Sequence, residues 1–154
     1  FRYLSIKTLT FRLLHLPHEI VQSTMAGNVD ADALIAKQQT LIKLAKEGIS
    51  EYVLTNEKAA PILNEVTAQA ESMTKLSLEE IEEQWHDYGA LHAKGLKPEA
   101  FDHFGPEISF MDAIIHPATG IIALNEYKKD KDAEHLEQVK EELNEVLEHL
   151  KHIK

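Results

Sequence analysis

From Leu136 onward the apolar residues stand at Leu136, Val139, Leu143, Val146, Leu150 and Ile153. That three-four alternation draws a single stripe along a helix, with Glu, Lys and Gln on the remaining faces. Such a segment is a surface helix of a bundle. Asp130, Asp132 and Glu134 at its start and Lys151 and Lys154 at its end suit the two poles of the helix macrodipole. The same rhythm recurs along the chain, and no stretch alternates apolar and polar residues as a half-buried strand would. The sequence therefore predicts an all-α fold, an antiparallel up-and-down bundle of four or five helices, each about 18 to 25 residues long and crossing its neighbours near 20°.

The length of 154 residues fits one such domain spanning 1–154. A net charge of -10 offers no clustered cations for phosphates, so nucleic acid is not an expected partner. With no cysteine, disulfides, thiolate ligands and covalent c-type haem attachment are excluded. Metal ligands must come from His, Asp, Glu or Met. No apolar run approaches the ~20 residues of a membrane span. The chain opens on Phe1 rather than Met, which predicts removal of something upstream, a signal peptide or the rest of a larger protein. Between a periplasmic and a cytoplasmic location the periplasm is the expectation.

The first segment carries two apolar stripes, Ile6, Leu9, Leu13, Leu16 and Ile20 on one face and Phe11, Leu14, His18, Val21 and Met25 on the next. Two faces wanting burial predict a homodimer built on this helix, with a kink at Pro17. Gly27 and Asn28 then suit a helix end, and Asp30 or Asp32 the next N-cap. A second helix runs through Leu34, Ile35, Gln38, Leu41, Ile42 and Ala45 to a break at residues 48 to 56. Another follows through Ile62, Leu63, Val66, Ala70 and Met73 to about Leu76. Ser77 to Glu80 reads SLEE, a capping box. The helix it opens is expected to end near Gly95, with Ile81, Trp85, Tyr88 and Leu91 or His92 facing inward. A loop rich in Gly and Pro covers 95 to 106 and leads into FMDAIIHPATGIIALNEY at 110–127.

That last helix carries the principal candidate, His116. Phe110, Ile114, Ile121 and Leu124 should form its seam, which puts His116 beside the core. The small residues Ala113, Gly120 and Ala123 share its stripe and leave room for a neighbouring helix, a large side chain or a flat cofactor. Pro117 withholds an amide from the carbonyl of Ala113. The same residues also serve a packing role, since Asp112 lies one turn earlier and can accept a ring proton.

Two further groups carry ligand spacing. His15, His18 and Glu19 lie three and four residues apart and could converge on one ion. Glu83 and His86 have the Glu-x-x-His spacing of carboxylate-bridged di-iron bundles. Such a site needs partner carboxylates on other helices. Glu137, Glu141, Glu142, Glu145 and Glu148 all fall off the apolar stripe of the last helix, which argues against di-iron chemistry. His149 and His152 suit a helix C-terminus. No nucleophile motif, phosphate loop or zinc-protease motif is present.

The expected function is therefore non-catalytic binding: a bundle holding a haem or a transition-metal ion between helices. His116 is the preferred haem ligand, with His18, His86, Met25 or Met111 opposite it. His15, His18, Glu19, Glu83, His86 and His116 form the metal-ligand set. The shape is similar to that of the four-helix cytochromes, in architecture only. The alternative is a cofactor-free structural or signalling domain that dimerises through its first helix.

Overall fold

The computed structural model describes residues 30–103 and 105–150. The two-faced first segment, with His15, His18, Glu19, Met25 and the dimer face built on it, lies outside the described residues. Among those described, every element is helical. Helix α1, Ala31–Tyr52, starts where Asp30 accepts the amide of Ala33 at 3.0 Å, as its N-cap position predicts. It buries Leu34, Leu41, Ala45 and Ile49. Its end is tied across the molecule by the Tyr52 hydroxyl, which donates to Glu107 at 2.5 Å. After a short 3₁₀ turn at Glu57–Ala59, helix α2, Ala60–Met73, begins with Pro61 in its first turn. Ile62, Leu63, Val66, Ala70 and Met73 point inward as the periodicity requires.

The capping box at Ser77 forms in both directions, Ser77 accepting from the amide of Glu80 and Glu80 accepting from that of Ser77. The helix it opens departs from the expected single run to Gly95. Helix α3, Leu78–Ile81, passes at once into a π-helical turn over Glu82–His86, closed by Asp87 N–H donating to the Glu82 carbonyl at 2.8 Å. Tyr88 then takes a left-handed conformation at φ 66°, and helix α4, Gly89–His92, follows. Ile81, Trp85 and Leu91 are still the buried residues of this stretch. Burial of those three large side chains, each contributing about 1.5 to 3 kcal/mol, outweighs the strain of one left-handed tyrosine.

Helix α5, Pro106–Asp130, is the centre of the fold. Every residue from Ile108 to Leu124 is buried. The expected one-sided seam is replaced by burial around the whole circumference, because α1, α2 and the last helix all pack against it. The helix runs through Pro117 as one element. An internal proline costs about 3 kcal/mol, less than the burial of Ile114, Ile115, Ile121 and Ile122 provides. By length and composition α5 could cross a membrane, but 94% of its apolar window is buried inside the protein, as in the core helix of a bundle. A left-handed Lys131 (φ 59°) ends it. Helix α6, Ala133–Leu150, returns and packs principally on α5, burying Leu136, Val139 and Leu143.

Candidate metal centre

The buried polar residues of α5 are Ser109, Asp112, His116 and Thr119, spaced three, four and three apart. They form one polar stripe inside a helix that is otherwise apolar all round. Burying such groups costs free energy unless each finds a partner, so the stripe marks where α5 must meet polar side chains. For Thr119 and His116 those side chains come from the π-helical turn and from α6 respectively.

His116 Nδ1 is in hydrogen-bond contact with a Glu142 carboxylate oxygen. His86 Nε2 lies 4.0 Å from the same oxygen and 2.8 Å from the Thr119 hydroxyl. Thr119 donates its only proton to the Ile115 carbonyl at 2.8 Å, so it accepts from His86, whose proton is thereby placed on Nε2. The two imidazoles stand edge to face with centroids 4.9 Å apart and an interplanar angle of 86°. One nitrogen from each histidine and one oxygen of Glu142 lie within 4.8 Å of one another. The three side chains are nearly buried, at 13% exposed for His86, 11% for His116 and 12% for Glu142.

Each imidazole has a carboxylate behind it, one helical turn earlier. Asp112 Oδ1 lies 3.6 Å from His116 Nε2, and Glu82 Oε2 lies 3.9 Å from His86 Nδ1. A carboxylate on the far side of a ligating histidine orients the ring and raises its basicity. For His116 the balance of forces is clear in direction. Burial of the ring disfavours its charge, but hydrogen bonding and attraction from Asp112 and Glu142 overcome that and push it up to about 10. Tyr88, close by, is pushed up to about 12, first by burial and then by the charges of Asp112 and Glu99.

Of the residues expected at a metal site, the structure brings His86 and His116 together. Glu83 does not join them: it is exposed, and Glu82 is the carboxylate beside His86. Met111 is fully buried in the apolar core. Glu142 corrects the expectation that the acidic residues of the last helix face away. It lies three residues after the buried Val139, on the flank of the apolar stripe, and its side chain is long enough to fold back over that flank. The notch expected at Gly120 is not a free slot, because a β-carbon there would stand 3.2 Å from Nε2 of the buried Gln38.

The π-helical turn sets where His86 points. Widening the helix by one residue per turn re-aims the side chains beyond it, a device frequent at functional sites. The turn is braced by Gly89, where a β-carbon would sit 2.7 Å from the Glu83 carbonyl oxygen. Only glycine permits that approach.

No protein-family model, curated protein or solved structure matches this chain.

Proposed function

We propose that this helical-bundle protein binds one divalent transition-metal ion through His86 Nε2, His116 Nδ1 and a carboxylate oxygen of Glu142. The observation carrying this reading is the convergence of two imidazoles and one carboxylate from three separate elements at a nearly buried point. Donors around a tetrahedral ion at about 2.0 to 2.1 Å stand about 3.3 Å apart. The 4.0 Å from His86 to Glu142 therefore needs a small contraction, and the His116 to Glu142 contact a small opening. The donor set of two nitrogens and one oxygen, without sulfur, suits a borderline divalent ion such as zinc or iron(II) better than copper(I). Two carboxylates, the nearly buried Glu142 and the buried Asp112, match its double charge. Three protein ligands leave a further position for water or a small ligand.

The metal must displace the proton shared between His116 and Glu142, and His86 must carry its proton on Nδ1, toward Glu82, rather than on Nε2, where it is donated to Thr119. Equilibrium dialysis of the chelator-treated protein against zinc, read by elemental analysis, tests the reading. Binding near one zinc per chain, weakened a hundredfold or more in His116→Ala, supports it. No uptake at millimolar zinc, or uptake unchanged in that variant, refutes it. A Soret band on adding haem, lost in His116→Ala, would transfer His116 to the haem reading instead.

A further inference from the structure

The three ligands of the centre belong to three elements that meet unequally. His116 sits on the central helix α5, while His86 ends the π-helical turn and Glu142 stands on the last helix. Helix α6 packs principally on α5, through Leu136, Val139 and Leu143. The π-helical turn packs mainly on its own stretch, α3 and α4, and reaches α5 through the contacts of His86 with Thr119 and His116. The turn and α6 approach each other where His86 Nε2 lies 4.0 Å from Glu142. That gap exceeds a hydrogen bond, whereas toward α5 His86 already meets the Thr119 hydroxyl at 2.8 Å and the edge of the His116 ring.

We infer that occupancy of this centre by a divalent metal ion locks the last helix to the π-helical turn, so that the metal controls the docking of α6. The inference rests on the metal-binding reading above. An ion shared by His86, His116 and Glu142 replaces the 4.0 Å gap with two coordination bonds and ties positions that lie far apart in sequence. Closing such loops removes conformations from the opened state while leaving the native packing in place. A ligand that binds only the docked arrangement stabilises it in proportion to its concentration over Kd. At a zinc concentration of a hundred times Kd, local opening of α6 should therefore become about a hundredfold rarer.

Hydrogen exchange on the full chain, with zinc and with chelator, reads this directly, and dialysis on the same samples reports zinc uptake independently. The expected result is exchange slowed about a hundredfold in peptides covering 133–145 and 82–86, with a smaller change in α1. Glu142→Gln should keep weakened zinc uptake through the two histidines and lose the added protection of 133–145. Glu141→Gln, one position away, should behave as the native chain. Zinc uptake with no change at 133–145, or with equal slowing in α1, overturns the lock and leaves the metal site standing. Protection of 133–145 that survives in zinc-loaded Glu142→Gln also overturns it. Absence of zinc uptake overturns both.

Discussion

Replacing Glu142 with Gln in the metal-free protein removes one of the two carboxylates that hold the His116 imidazolium, at almost unchanged side-chain volume. The magnitude follows from the environment of the ring. Burial works against its charge, yet Asp112 and Glu142 raise it to about 10, against 6.5 for a free imidazole. That difference corresponds to a ceiling of about 5 kcal/mol of native-state stability. Asp112, at 3.6 Å, remains in the variant, so the loss should be near half of the ceiling, about 2 to 3 kcal/mol.

The sign of the pH dependence is fixed. Below pH 6.5 both folded and unfolded chains hold the proton, and the contribution is complete. Between 6.5 and 10 the unfolded chain has released the proton and the folded chain has not, so stability falls as pH rises. Above 10 the contribution is gone. Urea unfolding of native and Glu142→Gln proteins, in chelator, should show a gap of about 2 to 3 kcal/mol at pH 6 that closes by pH 10.5. Comparing the two proteins cancels the titration of the lysines and tyrosines they share. A gap that stays constant across this range would refute the assignment of a charged His116 held by Glu142.

Two packing substitutions separate the parts of the site. Gly89→Ala forces a β-carbon to 2.7 Å from the Glu83 carbonyl oxygen, so the π-helical turn must shift. The expected cost is about 1 to 3 kcal/mol in thermal or urea unfolding, with zinc binding weakened through displaced His86 while the protein remains folded. Leu143→Ala opens a cavity under α6, where Leu143 is 1% exposed, and should cost about 2 to 5 kcal/mol. Zinc should recover part of that loss, which an unfolding midpoint measured at several zinc concentrations would show.

The long helices were legible because their signals are local. Asp30 as a cap, the Ser77 box, Pro61 in a first turn and the stripes of α1, α2 and α6 each act within a turn or two of the chain. The π-helical turn was not legible, since nothing in EEQWH forbids an ordinary helix. The wider turn appears where Trp85 and Leu91 are both buried and His86 meets Thr119, partners far away in sequence. Glu142 was misplaced for a related reason. A stripe drawn from Cα positions treats every residue off the apolar face as outward, whereas a glutamate at the border of that face can reach across it. The most informative signal extends the Asp112–His116 pair: Ser109, Asp112, His116 and Thr119 repeat at helical spacing within an apolar helix. Their pattern is the reverse of an ordinary amphipathic stripe, with polarity marking, on a helix buried all round, the line where polar side chains of other elements meet it.

Helix α5 also bears on how this sequence can drift. A surface helix accepts substitution in a rhythm, with tolerant positions returning every three or four residues. From Ile108 to Leu124 no residue of α5 faces solvent, so that rhythm should vanish and a saturation scan should read as one flat block of intolerance. Within that block the polar stripe and its apolar surroundings would fail for opposite reasons. Asp112 and His116 would reject apolar replacements that leave partners unpaired, and Ile114 and Ile115 would reject polar ones. Change in this helix would have to come in compensated pairs, which makes its most constrained segment also the one where a second-site suppressor would identify a contact.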